Sequence, residues 1–193
     1  MRKLLFFSNN TNKIIEIKKI FKKHNLEILS LIDLDIRNEP EENGQTFEEN
    51  AKIKSEYGYN KTGIPCFADD SGICIESLNW NPGVLSKRFL NNFKSNEACF
   101  ENIFKSIKKS SKQNAYFKTS ISLTIKNNQN VIFNGKIDGK ISEKVKGGFG
   151  FGYDPIFIPK NYNKTLAELS TKEKNEISHR SIAVTKLINF LTN

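Results

Sequence analysis

The chain has 193 residues, 37% hydrophobic and 11% aromatic, enough for one globular domain with a core of its own and room for two lobes. No stretch approaches the roughly 20 apolar residues that cross a bilayer, and the apolar run after Met1-Arg2-Lys3 stops at Ser8-Asn9-Asn10, too soon for a secretory signal; the expectation is a protein that neither spans a membrane nor is exported. The formal charge of +9 hints at an anionic partner, but Lys, Asn and Ile are used heavily throughout, so most lysines read as compositional bias, with Lys13, Lys54 and Lys174 set apart by position.

In chain order, Leu4 to Phe7 is predicted as a buried strand. Asn10, Thr11 or Asn12 then caps a helix with Ile14, Ile17, Ile20 and Phe21 on one face. Glu27 to Leu31 is a second short strand, and the acidic segment Ile32 to Gln45, with Pro40 and Gly44, is a loop. Thr46 to Tyr59 is predicted helical, Thr46 and Glu49 standing at capping-box spacing. Ile64 to Ala68 is the central strand, with a continuation at Ile73 to Ile75. A turn at Asn79 to Gly83 leads to an amphipathic helix from Ser95 to Ile107. Ala115 to Ile125 and Val131 to Ile137 form a hairpin through Asn127-Asn128, with a further short strand near Ile141. A glycine-rich loop, Gly147 to Gly152, precedes a strand from Pro155 to Ile158, and one helix, Glu176 to Leu191, closes the chain. This order predicts an α/β fold with a mixed central sheet and flanking helices, residues 1–193 forming a single catalytic domain.

Cys66, Cys74 and Cys99 are odd in number, lack metal-type spacing and lie among apolar residues, which reads as reduced thiols of a cytoplasmic protein.

The chemistry concentrates at Phe67-Ala68-Asp69-Asp70-Ser71-Gly72, where an apolar run ends in two carboxylates, a hydroxyl and a glycine. Adjacent carboxylates repel, so folding alone gains nothing from them. At the mouth of a strand they make a hard-oxygen site for Mg²⁺ and a base for water. Asp69 is expected to make full ionisation of both costly without a metal. Ser8-Asn9-Asn10-Thr11-Asn12-Lys13, between the first strand and helix, reads either as an anion-binding turn or as an ordinary cap with a surface lysine. It is not a P-loop, because the glycines and the Gly-Lys-Ser/Thr ending are missing. In Gly147 to Asp154, the rings of Phe149, Phe151 and Tyr153 either stack on a base or plug the core. Ser178-His179-Arg180 is either a pair of donors for a keto oxygen or an exposed polar pair at a helix start.

Taken together, these blocks resemble the inosine triphosphate pyrophosphatase family. The resemblance runs through Ser8-x-Asn10-x-x-Lys13, Glu42-Asn43-Gly44-Gln45-Thr46-Phe47-Glu48-Glu49-Asn50-Ala51 with Lys54, and Ala68-Asp69-Asp70-Ser71-Gly72. It continues with Pro82-Gly83 and Ser86-Lys87-Arg88-Phe89, Gly150 to Pro155, Glu173-Lys174-Asn175 and Ile177-Ser178-His179-Arg180. The resemblance implies two lobes flanking a nucleotide cleft, a homodimer, and Mg²⁺-dependent hydrolysis of ITP, dITP or XTP to the monophosphate and pyrophosphate. It also implies Asp70 as proton acceptor and, with Glu42, as metal ligand. Ser8, Asn9, Asn10, Thr11, Asn12, Lys13, Lys54 and Ser71 would then hold the triphosphate, and Phe151, Gly152, Tyr153, Asp154, Lys174, His179 and Arg180 the nucleoside. Asn9 and Asn12 depart from the family pattern, which commonly has glycine at the first and often glycine or lysine at the second.

Two other readings compete. A Maf-like pyrophosphatase acting on modified pyrimidine or methylated nucleotides is opposed by the Ser-His-Arg and Phe-Gly-Tyr-Asp blocks. A nucleic-acid-binding module is opposed by the scatter of the lysines, and no nucleic-acid or membrane partner is expected.

Overall fold

A computed structural model of the chain describes residues 3–126 and 129–192. Six strands form one mixed sheet in the order β2-β1-β3-β4-β5-β6. They are β1 (Leu5–Phe6), β2 (Leu29–Ser30), β3 (Cys66–Ile75), β4 (Asn114–Lys126), β5 (Gln129–Ile141) and β6 (Phe157–Pro159). β1 runs parallel to β2 and β3, and β5 antiparallel to β6. The helices are α1 (Thr11–Lys23), α2 (Phe47–Thr62), α3 (Ser86–Asn91), α4 (Asn96–Ser110), α5 (Thr171–Ile177) and α6 (His179–Thr192). The turn expected at Asn127-Asn128 lies outside the described residues.

The chain divides into two compact units: Met1–Asp70 with Thr119–Gly135 and Arg180–Asn193, and Ser71–Lys118 with Lys136–His179. In the first, strand alternation sorts the core by face. Leu4, Phe6 and Phe67 pack with Ile14, Ile17 and Phe21 of α1 and Val184, Leu187 and Ile188 of α6. Phe67 stacks between Phe6 (centroids 4.9 Å) and Phe21 (5.5 Å). Leu5, Phe7, Cys66 and Ala68 face the other way, toward Leu31 and Tyr57 of α2. Each fully buried phenylalanine contributes about 2–3 kcal/mol by leaving water. The α2 helix starts where its local signals place it: Thr46 Oγ1 accepts from Glu49 N–H, and Glu49 accepts from Thr46 N–H. The core of the second unit joins Ile73 and Ile75 of β3, Cys99, Phe100 and Ile103 of α4, and Phe117, Tyr153, Phe157 and Leu166.

Several expected boundaries differ. β3 runs unbroken through the acidic pair, so Asp69 and Asp70 lie inside a strand rather than at its mouth. Asp, Ser and Gly are poor strand formers, but pairing with neighbouring strands overrides propensity. Ile141 belongs to β5 rather than to a strand of its own. Asp154–Ile156 is a 3-10 turn, which delays β6 to Phe157. The closing helix is broken: Ser178 is extended (φ −67°, ψ 150°), which ends α5 before α6 begins at His179. The short α3 has no counterpart among the expected elements.

Candidate active site

In the first unit the turn Ser8–Lys13 joins β1 to α1 as its sequence implies. Asn10 is the cap: its Oδ1 accepts from Lys13 N–H (3.2 Å), and its own N–H donates to Ser8 Oγ (3.2 Å). The backbone N–H of Asn9 donates to Glu39 Oε1 (2.9 Å), and the Asn9 side-chain amide reaches the Arg37 carbonyl (3.4 Å). The acidic segment before α2 is thus fastened onto the turn.

Asp69 and Asp70 turn to opposite faces of β3. Asp69 Oδ2 meets Lys13 Nζ of α1 at 3.0 Å and Arg180 Nε of α6 at 3.4 Å. Arg180 Nη1 also binds Glu16 Oε2 of α1 at 2.6 Å. Burial alone would raise the Asp69 pKa, but Lys13, Arg180 and Lys54 outweigh it and hold the carboxyl well below the usual range. Asp70 faces α2, where Asn50 Nδ2 donates to its Oδ2 (3.1 Å). Its pKa moves the other way: burial raises it, Glu42 adds to the rise, and Lys54, Lys13 and the Asn50 hydrogen bond only partly offset them. Glu42 is thus a carboxylate that raises Asp70, while Asp69 is matched by cations on its own face.

Asn50 has a second bond. Its Oδ1 accepts from Gly44 N–H (2.8 Å), on the loop that carries Glu42. Glu42 Oε1 in turn receives Lys54 Nζ at 2.6 Å. Burial would raise the Glu42 pKa, but Lys54 wins and lowers it. Lys54, Asn50 and Ala51 all lie on the buried side of α2.

In the second unit Asp154 organises the glycine-rich loop. Its buried Oδ2 accepts Phe151 N–H (2.8 Å) and pairs with Lys174 Nζ (2.7 Å), whose ammonium lies 4.9 Å from the Phe151 ring centroid. Gly150 has φ +83°, and a Cβ there would run into the Asp154 carboxylate, so this position requires glycine. The three loop aromatics part ways. Phe149 is 65% exposed, Phe151 lies under Lys174, and Tyr153 is in the core with its hydroxyl donating to the Ser86 carbonyl (2.8 Å).

His179 and Arg180 are both buried, so the reading of an exposed pair does not hold. Their surroundings differ. His179 stacks on Phe117 (centroids 4.6 Å, 9° between planes), whereas Arg180 spans Glu16 and Asp69. Glu16 and Asn50 were not among the expected site residues.

A model of the Ham1 family matches residues 4–190. The chain is 44% identical over 190 residues to the dITP/XTP pyrophosphatase of Christiangramia forsetii, covering 98% of this chain and 99% of that one. It is 37% identical over 193 residues to the dITP/XTP pyrophosphatase of Bacillus subtilis, covering 99% and 98%. The solved structure of a HAM1 protein from Coxiella burnetii superposes with a TM-score of 0.90 at 33% identity, over 100% of this chain and 99% of that one.

Proposed function

The chain belongs to the Ham1 family, and from that premise we propose that it hydrolyses ITP, dITP and XTP to the nucleoside monophosphate and pyrophosphate, clearing non-canonical purines from the nucleotide pool. It is a hydrolase of triphosphate anhydrides, cutting between the α and β phosphorus atoms. The observation that carries this reading is the contrast between two consecutive buried carboxylates, Asp69 paired with Lys13 and Arg180, and Asp70 held by the neutral Asn50 amide on the other face. The Maf-like alternative is set aside, because relatives at 44% and 37% identity bear the dITP/XTP name.

The positions support the following roles. The backbone N–H groups of residues 8–12, with Lys13, receive the phosphate tail at the N-terminus of α1, where the helix dipole favours an anion. Lys54 and Ser71 add donors. Asp70 takes the proton of the attacking water, and Asn50 fixes the orientation of its carboxylate through Oδ2. Asp69 keeps Lys13 in place beneath the turn.

Glu42 and Asp70 fit a Mg²⁺ ion. They are hard-oxygen donors close enough for the Glu42 charge to raise the Asp70 pKa, and Mg²⁺ takes only one or two carboxylates beside phosphate oxygens and waters. When bound, the ion neutralises the phosphate oxygens and orients the pyrophosphate leaving group.

Phe151, Gly152, Tyr153, Asp154, Lys174, His179 and Arg180 take the nucleoside. Hypoxanthine and xanthine carry a 6-keto acceptor that suits N–H donors, whereas adenine carries a donor there. The two carboxylates on Arg180 set the plane of its guanidinium. Residues 1–193 act as one catalytic domain, as a homodimer in the cytoplasm; the free, buried Cys66, Cys74 and Cys99 suit a reducing compartment.

The test is pyrophosphate release from XTP and dITP with and without Mg²⁺. Mg²⁺-dependent release of equal pyrophosphate and monophosphate supports the reading. Release of orthophosphate alone, or no turnover of either nucleotide, defeats it.

A further inference from the structure

Ser86 opens α3, yet its side chain is turned inward and buried. Its Oγ accepts the N–H of Ile73 (2.9 Å) and donates to the Gly83 carbonyl (2.6 Å). The residue between Ser71 and Ile73 is Gly72. A Cβ at Gly72 would run into the Gly83 carbonyl and Ser86 Oγ, so the backbone just after Ser71 lies against this serine with no room between them. The Ser86 carbonyl accepts the Tyr153 hydroxyl at 2.8 Å, and Tyr153 is itself buried. Burial first, and Cys99 second, push the Tyr153 phenol above its ordinary value, so it remains a donor throughout the neutral range.

We propose that Ser86 is a positioning residue that fixes the backbone following Ser71 for phosphate binding, and that Tyr153 acts on that same backbone through Ser86. This rests on the assignment of Ser71 to the triphosphate. The chain of contacts runs Ser71–Gly72–Ile73, Ser86, Tyr153, with a hydrogen bond or van der Waals contact at each step. It gives Tyr153 a route to the phosphate tail that needs no contact between its ring and the ligand. Without the hydroxyl the Gly83 carbonyl keeps the Ser86 backbone N–H, but the Ile73 N–H loses its Oγ acceptor, which is the costly way to lose a hydrogen bond.

The experiment uses inorganic tripolyphosphate, which has neither base nor sugar. Its affinity for the wild-type protein, Ser86→Ala, Tyr153→Phe and the double variant is measured by calorimetry with Mg²⁺ present, alongside kcat and KM for XTP and the melting temperature. The expected result is that Ser86→Ala weakens tripolyphosphate about tenfold and Tyr153→Phe about threefold, the size of one or two lost hydrogen bonds. Added to Ser86→Ala, the tyrosine change then costs less than about twofold, the non-additivity of a shared path. With XTP the loss appears in KM more than in kcat. Should Ser86→Ala fail to fold, Tyr153→Phe, which removes one oxygen atom, decides the matter alone. Tripolyphosphate affinity within about twofold of wild type in Tyr153→Phe, with only the melting temperature lowered, overturns the proposal. Wild-type turnover of XTP without tripolyphosphate binding also overturns it and leaves the hydrolase reading standing. Tripolyphosphate binding without XTP turnover has the opposite meaning: the functional reading falls, and the variants' affinities still decide the role of Ser86.

Discussion

Asp69 and Asp70 are consecutive residues whose carboxylates are held from opposite faces of one strand. Asp69 Oδ2 lies 3.0 Å from Lys13 Nζ on one face of β3, and Asp70 Oδ2 lies 3.1 Å from Asn50 Nδ2 on the other. Alternation along a strand makes this separation automatic. Asp69 is an anion matched by cations; Asp70 is a buried carboxylate and the proposed base.

Asp70→Asn removes that base without changing the size of the side chain. The expected loss in kcat for XTP is roughly 10²- to 10⁴-fold, the range for a missing general base. Steady-state kinetics checks this, and near-wild-type turnover would remove Asp70 from the role.

Asn50→Ala tests the orientation of the base. The Asn50 hydrogen bond lowers the Asp70 pKa, so its loss raises that pKa further. The acid limb of the kcat/KM profile therefore moves to higher pH. The loop carrying Glu42 also loses its tie at Gly44, so more Mg²⁺ is needed for half-maximal rate. An acid limb that stays put or moves to lower pH counts against the arrangement.

Asp69 couples stability to acid. Its folded pKa is depressed below the ordinary value of 3.8, so the unfolded chain binds a proton first as pH drops. The stabilisation is complete above that value and declines as pH falls toward the folded pKa. Asp69→Asn leaves Lys13 and Arg180 facing a neutral amide. Because breaking a buried pair costs about 3–5 kcal/mol, the melting temperature at pH 7 falls and the acid dependence of unfolding flattens. Chemical denaturation across pH 2 to 7 reads both; a variant as acid-sensitive as wild type excludes Asp69 as the source.

Base choice is checked with ITP, XTP, GTP and ATP. Donors in a desolvated site that face a 6-amino group are left unpaired, and discrimination of roughly 10⁴-fold or more follows. Equal kcat/KM for ITP and ATP would take base reading away from His179 and Arg180.

Much of this was legible because the signals were local. The Asn10 cap, the Thr46–Glu49 capping box and the apolar stripe of α1 each depend on residues within a turn of one another. Lys13, Lys54 and Lys174, set apart by position among many lysines, all form ion pairs: Lys13 and Lys174 buried ones with Asp69 and Asp154, Lys54 a partly buried one with Glu42. What could not be read depends on distance in sequence or on pairing. Arg180 reaches Asp69 across 111 positions. Ser178 is a residue that favours the start of a helix, but the apolar period continuing from Ile177 through Val184 masks the break there. The strand through Asp69-Asp70-Ser71-Gly72 exists because neighbours pair with it, against the propensity of its own residues. Asn50 lies on the buried side of α2, where Lys54, Ser55 and Gly58 also lie, so no apolar stripe set it apart in the sequence.

Glu39 gives the amino-terminal turn a tenant of its own. Its carboxylate sits on the Asn9 amide, and the Asn9 side chain reaches the same segment at the Arg37 carbonyl. Any anion that docks on that amide must evict a resident one, so its measured affinity is a difference between two occupants. Loosening residues 35–45 would then register as tighter capture of a phosphate tail without a single new contact to it.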